Sequence, residues 1–331
     1  MRIDPFVGRT NSRREFLTLG VGLFAALTLP AAVLRRTTLA RRTVPLMGTI
    51  AELQVAHHDE RYAEAAIDAA IAELQRVERM MSRFMATSDV GRANLGAARE
   101  AVTVSAETAE VVRTALAWSE ASNGRFDPAV GAVSELWDVV NRNAPPAADA
   151  VRPLAQRGFW RQVDVSTLRG APAIRFASSD LHLDLGAVAK GYGIDRATQV
   201  LRDLKIEHAI ITVGGDLYAL GGSPEGGPWT VGIRDPHDVR AVVQTLEVRD
   251  RAVATSGDYE RFFRWHGVRY HHLMDPETAA PRRTIYHSTT VLASRAMDAD
   301  AASTSVFGLS RGAALSIARR HALDVDVIPL T

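Results

Sequence analysis

Apolar and polar residues alternate with two different periods along this chain, and the changes of period outline its elements. Residues 59–84 have the most regular helical pattern, with apolar side chains at spacings of three and four. Ser105 is a suitable N-cap for a second helix that runs through Ala121 and ends at Asn123-Gly124. The other helical patterns are a helix that ends near Lys205 and two near residues 298–307 and 311–320.

Short apolar runs bounded by glycine or proline predict the strands. The first, residues 43–56, enters through a glycine turn, and residues 141–150 are the most loop-like interior segment. The other runs occupy residues 180–189, 208–213, 229–236, 241–249, 251–257, 267–276, 288–294 and 324–330. Together these elements predict an α+β fold with mostly antiparallel sheets and packed helices, forming a single intertwined unit over residues 43–331.

The first 36 residues have the layout of an export signal. Arg13-Arg14 precede an uncharged, Gly- and Ala-rich stretch from Phe16 to Leu34, and this order is typical of a twin-arginine (Tat) signal. A single membrane helix is the alternative, although Pro30 weakens it. We expect a Tat-type signal or anchor at 1–36, which implies a location in the periplasm or on the extracytoplasmic face of the inner membrane. Residues 37–42 are interpreted as a linker.

Composition narrows the chemistry. The chain of 331 residues has a formal net charge of +1, which gives no reason to expect a nucleic acid partner. It contains no cysteine, and this excludes disulfides, thiolate metal sites and cysteine nucleophiles. Among 39 basic residues only Lys190 and Lys205 are lysine, which makes Lys190, in a glycine-rich turn, a candidate functional residue.

Oxygen-bearing side chains are concentrated in the sequence DADAASTS, at residues 298–305. If a helix begins here, Asp300, Ser303 and Thr304 lie at i, i+3 and i+4 and share one face, whereas Asp298 points elsewhere. One carboxylate and two hydroxyls are hard oxygen ligands that suit Mg²⁺. The alternative is an ordinary N-cap, with aspartate near the positive end of the helix.

A second candidate is DLGAVAKGYGID, at residues 184–195. Asp184 on an apolar strand must have a partner or face a site, and Lys190 stands where a helix N-terminus would meet an anion. The glycines match no phosphate-binding pattern, so a plain strand-turn-helix joint is an equal alternative.

Two further segments contain candidate residues. In residues 254–281, His271 and His272 precede Asp275, and a histidine beside a carboxylate can act as a general base. The alternative places His271 on a solvated strand face and His272 on the opposite face. In GRFDPAVGAVSELWD, residues 124–138, the aromatic rings could cradle a flat ligand, but a loop that packs a tryptophan is the favoured reading.

The order and the amino-acid sequences of these motifs resemble those of the ApbE family, the FAD:protein FMN transferases. The resemblance extends over about residues 43–325. It rests on the Met47-Gly48-Thr49 turn and on MSRFMATSDVGRAN, GRFDPAVG, DLGAVAKGYGID, TVGGDLYALGG, ATSGDYERFF, HHLMDP and DADAASTSVFGL. It implies an α+β fold related to the T-fold and a Mg²⁺-dependent reaction, in which the FMN moiety of FAD is attached to a Thr or Ser hydroxyl of an acceptor protein and AMP leaves.

The resemblance also implies roles for individual residues. His272 of the H-x-x-D-P motif would be the base, and Asp258 would help to position it. The metal would be held by Asp300 and Thr304 with the main-chain carbonyl of Ala187, and Ser303 stands where the family often has Asp or Ala. The residues implied to contact FAD are Met47, Phe84, Arg125, Phe126, Asp127, Asp184, Lys190 and Met274. Phe84 replaces the usual tyrosine, and Ala279-Ala280 stand where the family typically has T-G-x-P.

Two other functions are alternatives to the transferase. A Mg²⁺-dependent FAD pyrophosphatase would release FMN and AMP to water from the same metal and FAD sites. A periplasmic flavin-binding protein without catalytic activity would need neither the Asp300/Thr304 pair nor His272. The resemblance implies an exported or membrane-bound redox protein with an FMN-binding Thr/Ser motif as the acceptor.

Overall fold

A computed structural model describes residues 38–238, 240–322 and 324–331 of the chain. The predicted export signal at 1–36 lies outside these ranges. Within them, no helix combines the length and the apolar character that crossing a membrane requires.

Strands and helices interleave along the whole described chain, as the periodicity predicts. The strands are β1 (Thr38–Leu46), β2 (Thr49–His57), β3 (Val102–Thr103), β4 (Val163–Leu168), β5 (Ala171–Phe176), β6 (His208–Val213), β7 (Asp216–Leu220), β8 (Trp229–Arg234), β9 (Val242–Val248), β10 (Arg251–Gly257), β11 (Phe262–Trp265), β12 (Val268–His271), β13 (Met274–Asp275), β14 (Ala280–Pro281), β15 (Ser288–Ala293) and β16 (Asp326–Leu330). The helices are α1 (Glu60–Met81), α2 (Asp89–Gly96), α3 (Ala106–Ala121), α4 (Gly131–Trp137), α5 (Ala148–Val151), α6 (Ala189–Asp203), α7 (Ala296–Val306) and α8 (Arg311–Ala318).

A seven-stranded sheet in the order β1-β2-β6-β7-β10-β15-β16 organises the molecule, and every neighbouring pair in it is antiparallel. Helices α1, α6 and α7 cover one face and form the main core with it. The β8–β9 ribbon covers the other face, where Trp229 and Val231 pack against Leu217 and Val253. These observations confirm the predicted α+β class with mostly antiparallel sheets.

Helix ends follow the predicted capping chemistry. Ser105 accepts a hydrogen bond from the Thr108 backbone N–H at 3.0 Å and begins α3, as predicted. Asp59 caps α1 in the same way, accepting from Tyr62 N at 3.1 Å. Because α1 buries its apolar stripe against β1, β2 and α6, it fixes the position at which α6 begins.

Residues 38–42 are not a linker. They belong to β1, which pairs with β2 from Thr38↔His57 to Leu46↔Thr49. As the edge strand, β1 is bonded on one side only and includes two consecutive arginines, so its composition looks like that of a linker. Arg41 is exposed, whereas Arg42 pairs with Glu64 and Asp68 of α1. The predicted single strand at 43–56 is instead the end of β1, a turn and most of β2. The turn is Met47-Gly48, with φ of +53° and +66°.

Residues 181–185 are extended, but they do not form a strand of a sheet, and residues 186–189 turn into α6. Leu181, Leu183 and Leu185 are buried alternately, as the pattern predicts, yet the only ladder contact in this described stretch is one parallel bridge from His182 to Val130. The side-chain amide of Asn94 takes the place of a neighbouring strand, because it accepts from Leu183 N at 2.7 Å and donates to Leu183 O at 3.0 Å. Alternating burial therefore indicates an extended backbone, but it does not show that the segment pairs with another strand.

Helices α6 and α7 approach closely where α7 begins. A Cβ built on Gly191 would lie 2.2 Å from the carbonyl oxygen of Ala296, so only glycine fits there without displacing one helix. Gly191 of this segment thus serves helix packing. The close approach places the first turn of α6 beside the carboxylate of Asp300.

Gly191→Ala is expected to lower the free energy of unfolding by about 1–3 kcal/mol, because the added methyl group must push α6 away from α7. Gly312→Ala in α8 is the matched control, since a Cβ there meets no atom of the described part of the chain within 4 Å. The change should be neutral or stabilise by up to about 1 kcal/mol. Urea denaturation of both variants measures the difference. Equal stabilities would contradict this account of the crossing.

Candidate active site

A buried ammonium between two carboxylates lies at the centre of the candidate site. Lys190 Nζ is 2.8 Å from Asp216 Oδ2 and 2.8 Å from Asp300 Oδ1, and it donates to Gly186 O at 3.0 Å. Asp300 is 2 % and Asp216 3 % exposed. Burial disfavours the charge of Lys190, but the two carboxylates outweigh it and raise the pKa of Lys190. The lysine is therefore charged, with its three donors occupied.

Asp300 points into this cluster, and it does not cap its own helix. Its Oδ2 accepts from the Gly191 backbone N–H at 3.0 Å. The cap of α7 comes from α6, since Asp195 accepts from Ala296 N at 2.7 Å and from Met297 N at 3.0 Å. The N-cap alternative for Asp300 is thus excluded, and Asp195 is a capping residue that the sequence reading missed.

Asp298 lies on a different side of α7, as the helical spacing predicts. Its Oδ1 accepts from Trp118 Nε1 at 3.2 Å, and its carboxylate lies 3.8 Å from Arg295 and 3.7 Å from His321. Asp298 and Asp300 are therefore two carboxylates of one helix with separate surroundings.

The hydroxyls of α7 meet a third hydroxyl from β10. Ser256 Oγ lies 2.9 Å from Ser303 Oγ and 3.1 Å from Thr304 Oγ1. Ser303 donates its proton to the Asp300 carbonyl at 2.9 Å, whereas Thr304 is only half-buried. The predicted common face of Asp300, Ser303 and Thr304 is consistent with these contacts, and Ser256 is an addition that only the fold provides.

The Ala187 carbonyl is left without a helical donor. In an α-helix it would accept from the backbone N–H of Gly191, four residues on, but that group donates to Asp300. No backbone N–H of the described residues takes its place. An available carbonyl oxygen therefore lies one turn from the residue whose amide binds Asp300.

His271 is a structural histidine. It is 4 % exposed, accepts from Leu273 N through Nδ1 at 3.2 Å, and donates from Nε2 to Arg282 O at 2.9 Å. Burial lowers the pKa of His271 to about 4, so the ring is neutral near pH 7. The expectation that His271 lies on a solvated strand face is wrong, because β12 turns that side toward Phe307 and the end of α7.

His272 differs from its neighbour in having an unsatisfied nitrogen. Its backbone N–H donates to Arg261 O at 3.0 Å, but its Nδ1 is buried and has no hydrogen-bond partner within the described chain. Burial and the charge of Arg261 lower the pKa of His272 to about 3, and Lys190 contributes in the same direction. The ring is therefore neutral and within electrostatic reach of the Lys190 cluster.

Acid should destabilise the fold through His271. Its pKa is about 4 when folded and about 6.5 when unfolded, so the unfolded chain binds the extra proton between these values. The contribution of His271 is complete above pH 6.5, and about 3 kcal/mol is lost as the pH falls through 4. Denaturation at a series of pH values should show this loss in the parent protein relative to His271→Gln, which keeps one donor and one acceptor. Parallel pH profiles for the two proteins would refute the assignment.

The carboxylate of Asp258 binds residues other than His272, the partner that was expected. Its carboxylate binds Arg269 and the Nδ1 of His287, which is 2.7 Å away. In the described ranges no hydrogen bond joins Asp258 to His272, so the expectation that Asp258 orients the base has no contact to support it. The reason is that Asp258 follows β10 directly and faces the loop before β15.

Phe84 and Asp184 are brought together by a residue that the sequence reading did not use. Phe84 is 82 % exposed, with the Arg83 guanidinium 4.5 Å from its ring centroid. Arg83 Nε also lies 3.4 Å from Asp184 Oδ2, while Asp184 Oδ1 accepts from Gly186 N at 3.0 Å. An open aromatic face and a carboxylate therefore flank the turn that leads to Lys190.

Met47 borders the same helix start, whereas Met274 packs in a different cluster. The Met47 sulfur lies 3.5 Å from a Cβ built on Gly193 of α6. Met274, opposite Pro281 in the β13–β14 pair, packs beside Trp137 and Ala279. Trp137 is buried, as predicted, but it lies at the end of helix α4 and not in a loop.

The turn at residues 125–127 is held mainly by buried groups. The ring of Phe126 is 4 % exposed and belongs to the main core, so it cannot offer its face to a ligand. Asp127 accepts from Ala129 N at 2.8 Å and Trp160 N at 3.1 Å, and burial raises its pKa to about 6. Arg125 donates to Phe307 O at 3.2 Å. Of the three side chains, Arg125 is the one that remains partly exposed.

Comparison with known proteins identifies the family. The sequence model of the ApbE family matches residues 47–328. The chain belongs to the ApbE family. Known relatives include the FAD:protein FMN transferase of Treponema pallidum, 35 % identical over 80 % of this chain and 77 % of the relative. That of Klebsiella pneumoniae is 33 % identical over 86 % of this chain and 87 % of the relative.

Solved structures of ApbE proteins have the same fold. The ApbE protein of Thermotoga maritima superposes with a TM-score of 0.78 and 28 % identity, covering 88 % of this chain and 94 % of the other. The flavin transferase ApbE of Vibrio cholerae gives a TM-score of 0.77 at 26 % identity, covering 88 % and 93 %. These likenesses confirm both the resemblance and the fold class inferred from the motifs.

One departure from the ApbE motif has a visible consequence. Ala279, which stands in the segment where the motif typically has glycine, adopts φ of +50°. It is buried, and its carbonyl accepts from Trp137 Nε1 at 2.7 Å. The turn thus keeps the left-handed conformation that favours glycine, and the packing of Trp137 holds an alanine in it.

Proposed function

We propose that this protein transfers the FMN moiety of FAD to a Thr or Ser hydroxyl of an acceptor protein and releases AMP, with Mg²⁺ as cofactor. The proposal chiefly rests on the combination of two features. His272 is neutral and its Nδ1 has no hydrogen-bond partner among the described residues, and the charged Lys190–Asp300 cluster lies within its electrostatic reach. Membership of a family whose named relatives are FAD:protein FMN transferases supports the same activity.

The candidate site offers oxygen atoms of the kinds that bind a magnesium ion. In the described ranges no three His, Asp or Glu side chains converge, so the site would depend on carbonyl, hydroxyl and phosphate oxygens beside one carboxylate. Asp300, Thr304 and the donor-free carbonyl of Ala187 supply such a set, and Mg²⁺ commonly completes its shell with water and phosphate. The hydroxyl of Ser303 already donates its proton to the Asp300 carbonyl. Ser303 would therefore act indirectly, by accepting a hydrogen bond from Ser256, which also contacts Thr304. Bound there, Mg²⁺ would neutralise charge on the FAD pyrophosphate.

The residues that would hold FAD surround the same helix start. Lys190 offers a positive charge to the pyrophosphate, and the exposed ring of Phe84 offers a stacking face for a flat ring system. Asp184, Met47 and Arg125 are proposed as further contacts. Phe126, Asp127 and Met274 would contribute through the backbone or shape of their turns, since their side chains are largely engaged in packing or local hydrogen bonds.

His272 would take the proton of the acceptor hydroxyl. The hydroxyl oxygen forms a bond to the FMN phosphorus, the bond from that phosphorus to the bridging oxygen breaks, and AMP leaves with the bridging oxygen. A neutral imidazole nitrogen can accept the proton. The negative charge of bound FAD would raise the pKa of His272 from its low value and make it a stronger base.

The acceptor and the location follow from the same proposal. A redox protein with an FMN-binding Thr/Ser motif would be the acceptor, and it would meet this protein in the periplasm or at the outer face of the inner membrane. The twin arginines at Arg13-Arg14 support export by the Tat route, with residues 1–36 cleaved or retained as an anchor.

Incubation of the protein without residues 1–36 with FAD, Mg²⁺ and an FMN-binding-domain acceptor tests the activity. We expect a fluorescent acceptor band on a denaturing gel that requires Mg²⁺ and is absent after chelation. Free FMN and AMP without a labelled band, across several acceptors, would replace the transferase by an FAD pyrophosphatase. FAD binding without AMP release would leave a flavin-binding protein.

A further inference from the structure

Asp216 belongs to the TVGGDLYALGG motif, yet the proposed reaction assigns it no role. It begins β7, directly after the Gly214-Gly215 turn, and is 3 % exposed. Its Oδ2 binds Lys190, and its Oδ1 accepts from the backbone N–H of Thr255 in β10 at 3.2 Å. A buried carboxylate with one oxygen fixed by a neighbouring strand has little freedom to move.

Asp216 and Asp300 compete for the same ammonium but come from different kinds of element. Asp216 is fixed in the central sheet, whereas Asp300 lies on α7 and is held by the Gly191 amide. Lys190 binds both at 2.8 Å. Burial raises the pKa of Asp216, and the charge of Lys190 opposes this shift. With both carboxylates ionised, the cluster has a net charge of −1, and such a charge attracts a cation.

We infer that Asp216 is a positioning residue, the permanent counter-ion of Lys190, which leaves the carboxylate of Asp300 available to a divalent cation. This inference rests on the proposed function. With Asp216 present, Lys190 keeps a partner when Asp300 turns to the metal, so no buried ammonium is stranded. Without it, Lys190 could be paired only by Asp300, and the ammonium would compete directly with the metal.

Asp216→Asn removes the charge and keeps the shape of the side chain. We expect the dissociation constant for Mn²⁺, titrated calorimetrically into the protein without FAD, to rise at least about tenfold. The KM for FAD at saturating metal should be unchanged or lower, because the cluster becomes less negative toward an anionic substrate. A merely structural role would weaken metal and FAD binding together.

Two further variants separate charge from folding. Asp216→Glu retains the charge and should keep the Mn²⁺ dissociation constant within about threefold of the parent value, which is testable even if the asparagine variant does not fold. Asp89→Asn is the matched control, since Asp89 is also a buried carboxylate but binds Arg92, Ser105 N and Thr108 far from Lys190 along the sequence. It should lower the melting temperature without changing Mn²⁺ affinity.

The outcomes distinguish this inference from the proposed function. If the parent binds Mn²⁺ and folded Asp216→Asn binds it equally well, the inference is wrong while the transferase proposal stands. The inference is also wrong if the Asp216→Glu variant folds but no longer binds Mn²⁺. If the parent protein binds no Mn²⁺, the metal role of Asp300 and this inference fall together, and the flavin-labelling reaction decides whether transfer survives without them.

Discussion

Replacing Asp300 by asparagine is expected to reduce FMN transfer by at least about a thousandfold, a loss of the size seen when charge stabilisation at a transferring phosphoryl group is removed. Asp300 is the one carboxylate in the proposed metal set, and it also binds Lys190 and the Gly191 amide. Asparagine keeps one oxygen for a hydrogen bond but lacks the charge that a hard cation requires. Initial rates of AMP release and acceptor labelling, measured over a range of Mg²⁺ concentrations, give the effect.

Asp298→Asn is the matched control for this change. Asp298 lies on the same helix, two residues earlier, but its carboxylate faces Trp118, Arg295 and His321. We expect its variant to label the acceptor at a rate within about threefold of the parent, since surface-side changes outside a site have small effects. Normal Mg²⁺-dependent transfer by Asp300→Asn would show that Asp300 is not a metal ligand.

The second large effect is expected at His272. His272→Gln should lower the rate of transfer about 10²–10⁴-fold, the range that a positioned general base contributes. The KM for FAD should change little, because the proposed role of the ring lies in proton transfer and not in holding the flavin. Single-turnover labelling at saturating FAD separates the two quantities.

The neighbouring histidine provides the comparison. His271 donates to Arg282 O and accepts from Leu273 N, so His271→Gln should fold less stably but transfer FMN at a similar rate at pH 7.5. If both histidine variants lose activity equally, the assignment of the base to His272 alone fails. If His272→Gln transfers at the parent rate, another group takes the proton.

Local chemistry made much of this fold predictable from sequence. The helix at 59–84 and the Ser105 cap are local patterns, and the structure has them at Glu60–Met81 and Ala106–Ala121. The groups to which these segments form hydrogen bonds were harder to predict. Residues 180–189 alternate like a strand, but the group that bonds to them is the side chain of Asn94, which no periodicity in that segment can reveal.

Some features of the candidate site could also be predicted from the sequence, whereas others could not. The i, i+3, i+4 spacing predicted the common face of Asp300, Ser303 and Thr304, because helical geometry alone decides it. Asp216, Asp195 and Ser256 were missed, since each reaches the site from a distant part of the chain through the α6–α7 crossing or the central sheet. The double glycine before Asp216 was a signal in the sequence that could have drawn attention to this residue.

The most direct test of the central claim is a stoichiometric one. In a single Mg²⁺-dependent reaction with FAD and an acceptor, AMP, free FMN and acceptor-bound FMN are quantified together. The proposed transfer predicts equal amounts of AMP and acceptor-bound FMN, with no free FMN, and loss of both products when the acceptor hydroxyl is replaced by alanine. AMP matched by free FMN, at a rate that ignores the acceptor, would contradict it.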